Sequence, residues 1–188
     1  MSPIQLPPPT AQGVVILVSG WRRIGKTTLL LRMRAAALDA GLQTGGFLSV
    51  ARFEDGTKTG IDLLDAATGQ RRPLATVGGK GPVQTGHYTF DPAALEAGLQ
   101  FAADGQNADV YFIDELGPLE LKRGEGWAAV VPWIRARTFG VTFVVVRPEL
   151  VDLAHEKLAL DPGTAVLNVD EANRDDLTSQ LCAWIRQR

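Results

Sequence analysis

An α/β fold with a mostly parallel central sheet is what this sequence predicts, and three observations predict it. Strand-like apolar runs alternate with stretches of helical periodicity, the pattern of crossover helices between parallel strands. The first run, residues 14–18, is continuous and β-branched, as expected of a strand buried on both faces. Immediately after it a glycine-bounded loop opens a helix.

Residues 26–40 carry Leu30, Met33, Ala37 and Ala40 at helical spacing and stop at Gly41. Residues 47–53 and 58–64 flank Glu54-Asp55-Gly56-Thr57, where Asp-Gly signals a hairpin. A simple crossover would run straight to the next parallel strand, so a β-hairpin insertion is expected after the first helix. Residues 65–86 hold seven glycines and prolines with little periodicity, and a long, mobile loop is expected there. Asp91-Pro92 reads as an N-cap followed by proline at the first position of a helix reaching about Ala103. Residues 110–113 form a second buried strand, residues 126–138 a helix that Pro132 would kink, residues 141–146 a third strand and residues 165–169 a shorter fourth. A last helix, capped by Asp170, sets Leu177, Leu181 and Trp184 on one face. No internal repeat and no clean linker divides the chain. Residues 13–188 are expected to form one domain behind a flexible, proline-rich leader at residues 1–12.

Composition narrows the function classes. The 188 residues are 45% apolar and 21% charged, ordinary for a globular chain long enough to bury a core. A net charge of −2 supplies no basic field, so no nucleic-acid partner is expected. No stretch of about 18 apolar residues is present and no membrane association is expected. Cys182 is the only cysteine and reads as a buried helix residue. The leader lacks the charge and apolar core of a signal peptide, which points to a cytoplasmic location. A protein partner is possible, but nothing in the sequence indicates one.

Gly20-Trp21-Arg22-Arg23-Ile24-Gly25-Lys26-Thr27 fits the phosphate-loop pattern G-x-x-x-x-G-K-[ST] completely. Chance would produce it in roughly 0.6% of chains this long, and here it lies between a buried strand and a helix, where the chemistry requires it. Glycines let successive backbone N–H groups turn inward on phosphate oxygens, and the helix adds its positive end. The expected nucleotide contacts are Gly20, Trp21, Arg22, Arg23, Ile24, Gly25, Lys26, Thr27 and Thr28. Lys26 would reach the β- and γ-phosphates, and the Thr27 hydroxyl would ligate Mg²⁺. The variable positions are unusually bulky. Arg22 or Arg23 could act as a built-in arginine finger or be a solvated surface residue, and Trp21 could be exposed or pack on the nucleotide or hairpin.

The second motif, Val110-Tyr111-Phe112-Ile113-Asp114-Glu115, is an apolar strand ending in two carboxylates. Asp114 is the expected second Mg²⁺ ligand, and Glu115 the group that orients or deprotonates an attacking water. Together the motifs sharpen the expected fold to a three-layer P-loop NTPase, with the two motif strands adjacent or separated by one. The expected function is Mg²⁺-dependent hydrolysis of nucleoside triphosphates, with Lys26 and Glu115 catalytic and Thr27 and Asp114 holding the metal. Two alternatives stay open. A kinase acting on a small acceptor would use residues 65–86, with Arg71 and Arg72, as a lid. A nucleotide-dependent switch or accessory protein would turn over negligibly.

Beyond the motifs, the chain resembles the small nucleoside-triphosphatases of archaea, thermophilic bacteria and animals, sometimes called the cancer-related nucleoside-triphosphatase family. The resemblance rests on Gly25-Lys26-Thr27-Thr28-Leu29, on Gly46-Phe47 opening the hairpin with Gly56 and Gly60 following, and on Gly86-His87-Tyr88 ahead of Phe90-Asp91. It continues through Ile113-Asp114-Glu115-Leu116-Gly117-Pro118-Leu119-Glu120-Leu121, close to the family's I-D-E-I-G-x-M-E-L, and Asn173-Arg174. It implies slow Mg²⁺-dependent hydrolysis of ATP, GTP and other nucleoside triphosphates, broad in base. Three departures stand out. Arg22-Arg23-Ile24 replaces a proline-glycine stretch of the family's G-x-P-G-x-G-K loop. Val50-Ala51 replaces the acidic pair after the family's Gly-Phe-x-Thr segment. His87 replaces the basic residue of G-K-Y.

Other residues leave two readings each. Glu120 is a carboxylate supporting the site or a structural cap. Arg147, ending an apolar strand where ligands gather in open sheets, is a γ-phosphate sensor or a surface arginine. Arg174 contacts base or ribose, or belongs to the helix cap. His87 and His155 are isolated, and Trp127, Trp133 and Trp184 read as core or interface residues.

Overall fold

A computed structural model describes residues 6–188; the first five residues of the expected leader lie outside the described residues. Strand β1 (Val14–Ser19) leads through the glycine loop into helix α1 (Lys26–Asp39), followed by β2 (Thr44–Glu54) and β3 (Thr57–Asp65). Next come β4 (Arg71–Val77), β5 (Val83–Thr85), β6 (Tyr88–Phe90), α2 (Pro92–Asp104) and β7 (Val110–Ile113). The chain ends with α3 (Pro118–Leu121), α4 (Val130–Ala136), β8 (Val141–Val146), a 3₁₀ turn at Pro148–Leu150, α5 (Val151–Lys157), β9 (Val166–Asn168) and α6 (Arg174–Ile185).

All nine strands join one sheet, in the order β5-β6-β4-β3-β2-β7-β8-β1-β9. The sheet is mixed, which corrects the expectation of a mostly parallel one. Five strands from β2 to β9 are parallel, and β3, β4, β6 and β5 extend them antiparallel. The reason lies in β2. Only Thr44–Phe47 pairs with β7, while the rest of the strand runs past the carboxyl edge of the parallel half and pairs with β3. Antiparallel neighbours need only tight turns, and Asp55-Gly56, both at positive φ, provide one. The hairpin expected as an insertion is therefore continuous with the core through β2.

Residues 65–86 are likewise not the expected long loop. They supply β4 and β5, with their glycines mostly in the connections. Pro73 sits where the β3–β4 register shifts, and β6 pairs with β4 only from Ala75 onward, so no ladder bond is lost. The helix expected over residues 126–138 shortens to α4. Its Pro132 falls in the first turn, where no intrahelical bond is broken and the proline does not require a kink. Asp170 does not cap α6 directly. Its carboxylate accepts from Ala172 and Asn173 N–H at 2.9 and 2.8 Å in the preceding turn, and Asn173 is the N-cap residue.

Alternation along the strands divides the core into two layers. Val15, Leu17, Tyr111, Ile113, Val144 and Val146 face α2, α4 and α5. Ile16, Val18, Phe112, Phe143 and Val145 face α1 and α6. Trp127 packs on Phe47 with ring centroids 4.1 Å apart, and its indole N–H donates to the Leu95 carbonyl at 3.0 Å. β2 and β7 approach closely at Gly46 (φ +84°), where a Cβ would stand 2.0 Å from the Phe112 carbonyl oxygen. On the α6 side, segments near both ends of the described residues meet. Trp184 Nε1 donates to the Pro7 carbonyl at 2.8 Å, and an Arg188 Nη donates to the Ala11 carbonyl at 3.0 Å.

Candidate active site

The sheet brings the two motifs together at the carboxyl edge of its parallel half. β1 and β7 are separated by β8 alone, so the glycine loop and the Asp114-Glu115 pair open on the same side. Gly25, at φ +107°, turns the loop into α1. Arg23 also has positive φ, 64°, which is uncommon for a residue bearing a Cβ.

Lys26 lies inside this turn. Its ammonium donates to the Gly20 carbonyl at 2.6 Å and to the Trp21 carbonyl at 2.9 Å. Burial lowers its pKa, Glu115 and Asp114 oppose that shift, and the nearby Arg147 charge adds to it. The Thr27 hydroxyl donates to Asp114 Oδ2 at 2.7 Å across 87 residues of sequence. Asp114 is only 3% exposed. Burial pushes its pKa up to about 7, against hydrogen bonds from Thr27 and Ser49 and with help from the Glu115 charge.

Ser49 was not singled out by sequence reasoning. Its backbone N–H donates to Asp114 Oδ2 at 3.3 Å, and its hydroxyl donates to the Asp114 carbonyl. A signal was available, because Ser49 is the hydroxyl residue two positions after Phe47, where the resembled family carries threonine. The contact is invisible without knowing that β2 pairs with β7.

Glu115 is more open than its neighbour and forms an ion pair. Arg147, directly after β8, donates from Nε to Glu115 Oε1 at 2.8 Å, and one Nη forms an ion-pair contact with the same oxygen, also at 2.8 Å. Neither side chain is freely exposed, at 17% for Arg147 and 29% for Glu115. Arg147 is thus no free surface arginine. With Gly20, Trp21, Arg22, Pro148 and Glu149 it lines a cavity of about 480 Å³ beside the loop.

The remaining candidates separate cleanly. Trp21 is 71% exposed, Arg22 and Arg23 are exposed, Ile24 packs on the α1–α6 layer, and Thr28 faces solvent. Arg174 lies beside the loop, its Cδ 3.8 Å from where a Cβ on Gly25 would be. Glu120 is a structural cap: it accepts from the Gly117 N–H at 2.8 Å and the Trp127 N–H at 3.4 Å. His87, in the β5–β6 turn, packs at a tilt against the Tyr88 ring, with centroids 4.5 Å apart.

For a divalent cation, the Thr27 hydroxyl and the Asp114 carboxylate form an all-oxygen pair, with a buried carboxylate that burial alone makes costly to ionise. Among the described residues no three acidic, histidine or cysteine side chains cluster as a complete metal cage. A cation that takes one or two protein oxygens and completes its shell with phosphates and water could be held by this pair.

The chain was compared with known proteins. Residues 15–182 match the sequence model of a family described as NTPase. The nucleoside-triphosphatase THEP1 of Methanopyrus kandleri is 30% identical over 181 residues, covering 92% of this chain and 98% of the relative. That of Caldivirga maquilingensis is 28% identical over 171 residues, covering 91% and 94%. In fold, the chain is similar to the human cancer-related nucleoside triphosphatase, with a TM-score of 0.70 at 24% identity over 90% of this chain and 96% of that one. It is also similar to THEP1 from Aquifex aeolicus, with a TM-score of 0.66 at 21% identity over 92% and 99%.

Proposed function

The chain belongs to the NTPase family, and from that premise we propose that it hydrolyses nucleoside triphosphates to diphosphate and phosphate with Mg²⁺. The observation that carries the reading is the meeting of the Thr27 hydroxyl with the buried Asp114 carboxylate, beside a lysine folded into the glycine loop. Backbone N–H groups of residues 20–28 bind the phosphates, aided by the positive end of α1. Lys26 exchanges its two carbonyl partners for β- and γ-phosphate oxygens. Thr27 and Asp114 hold Mg²⁺, which supplies neutralisation of the phosphate charge when bound with the nucleotide. Asp114 must then be ionised, and Ser49 fixes its orientation from the β2 side.

Glu115 carries out the proton step. Its carboxylate takes a proton from a water whose oxygen bonds to the γ-phosphorus, while the bond from that phosphorus to the β–γ bridging oxygen breaks and the diphosphate leaves with the electron pair. Broad base tolerance, ATP and GTP included, is proposed from the family resemblance. A cytoplasmic location follows from the supply of substrate there. The kinase reading loses its lid, since Arg71 and Arg72 belong to strand β4 of the sheet.

The test is phosphate release from ATP, GTP, CTP and UTP with Mg²⁺ by wild type, Lys26→Ala and Glu115→Gln, with nucleotide binding measured on all three. Lys26→Ala should lose binding. Glu115→Gln should bind and release phosphate at least 100-fold more slowly. Tight binding by wild type with release no faster than Glu115→Gln would overturn the reading.

A further inference from the structure

Arg147 stands between two places for negative charge. On one side is Glu115, whose Oε1 accepts from Arg147 Nε and lies 2.8 Å from one Nη. Among the described residues nothing donates to Oε2, and the guanidinium has N–H groups beyond the one it donates there. On the other side is the 480 Å³ cavity that Arg147 shares with Gly20, Trp21, Arg22, Pro148 and Glu149. The Gly20 and Trp21 carbonyls are the ones that hold the Lys26 ammonium. Arg147 also lies close enough to Lys26 for its charge to act on it. Arg147 thus lines the cavity at the start of the glycine loop, beside the carbonyls that hold Lys26.

We propose that Arg147 is a positioning residue that exchanges anions: it leaves Glu115 for the γ-phosphate of a bound triphosphate, and so frees the Glu115 carboxylate to accept the proton of the attacking water. This inference rests on the hydrolase reading and adds the condition that licenses its proton step. A planar guanidinium meets phosphate oxygens in the same paired geometry as a carboxylate, so the swap replaces one charge-assisted contact with another. The γ-phosphate carries more charge than a single carboxylate, which favours the transfer. A diphosphate offers no such competitor, and Arg147 then stays on Glu115. The base is released only when a phosphate is present for it to act on.

Removing Arg147 from the wild-type chain would leave the Glu115 charge unneutralised beside the phosphate and weaken ATP binding for that reason alone. The decisive comparison is therefore made without the carboxylate: Glu115→Gln against Glu115→Gln/Arg147→Ala and Glu115→Gln/Arg147→Lys. Calorimetric Kd values are measured for ATP and for ADP with Mg²⁺. Arg147→Ala should weaken ATP at least tenfold and ADP less than twofold, with Lys intermediate. Unchanged ADP affinity also verifies that the variant is folded. Equal changes for ATP and ADP, or no change for ATP, would overturn the exchange. In the Glu115 background, phosphate release at saturating ATP should fall at least tenfold for Arg147→Ala and partly recover for Arg147→Lys; an unaltered rate would overturn the release of Glu115. A wild type that binds ATP yet releases no phosphate sinks the hydrolase reading itself, while the ATP-to-ADP comparison still reports the arginine's contact separately.

Discussion

The costs at this site are concentrated in single residues. Arg23 holds a left-handed backbone, φ 64°, at a loop position where the resembled family places glycine. A left-handed conformation costs a residue with a Cβ about 1–2 kcal/mol, part of which glycine returns through its freer unfolded chain. Arg23→Gly should accordingly stabilise the protein by about 1 kcal/mol in urea denaturation and raise the melting temperature by ~2–4 °C. Asp114 carries a second cost. Its folded pKa of about 7 lies above its ordinary 3.8, so between these values the folded chain binds the extra proton and stability falls as pH rises. Without nucleotide, unfolding free energy should decline from pH 4 to 7, and Asp114→Asn should flatten that decline. Because the metal-holding form is the ionised one, stabilisation by Mg²⁺ with a triphosphate should grow across the same window. Denaturation at pH 5 and pH 8, with and without Mg²⁺–ATP, measures both effects.

At the scale of elements, β2 joins the two halves of the sheet. Its Thr44–Phe47 segment is parallel core, its outer segment begins the antiparallel extension, and Ser49, at the changeover, touches Asp114. Gly46 permits the approach to β7, and Gly46→Ala should cost about 3 kcal/mol or more, because positive φ and a backbone collision coincide there. Urea denaturation would measure the loss, and amide exchange should show it first in β2 and β7. The β1–loop–α1 unit and α2 were legible in the sequence because their signals are local: an apolar run, bounding glycines, helical spacing, an Asp-Pro start. β4 and β5 were not. Their residues are largely exposed and interrupted by glycine and proline, and they become strands through β3 and β6. The site divides in the same way. The Thr27 and Asp114 motifs announce their chemistry at short range, whereas the roles of Ser49 and the Glu115–Arg147 pair depend on strand order, which no local pattern encodes.

Across the whole molecule, one sheet carries both core layers, so neither face can melt without uncovering the other. Trp127 lies in one layer and Trp184 in the other. Chains whose sole tryptophan is Trp127 or Trp184, with Trp21, Trp133 and the other replaced by phenylalanine, should show superimposable urea transitions by fluorescence; separated midpoints would mean two cooperative units. The meeting of Pro7 with Trp184 and of Ala11 with Arg188 has a different consequence. Segments near both ends of the described residues lie together, so the chain's order of synthesis is only one of several ways to cut it. A flexible peptide joining Arg188 to Leu6, with new ends opened at the exposed Asp55-Gly56 turn, should give a circular permutant that keeps the strand pairings. It would carry its new termini at the tip of the antiparallel extension, where a tether or reporter could be attached without interrupting the glycine loop.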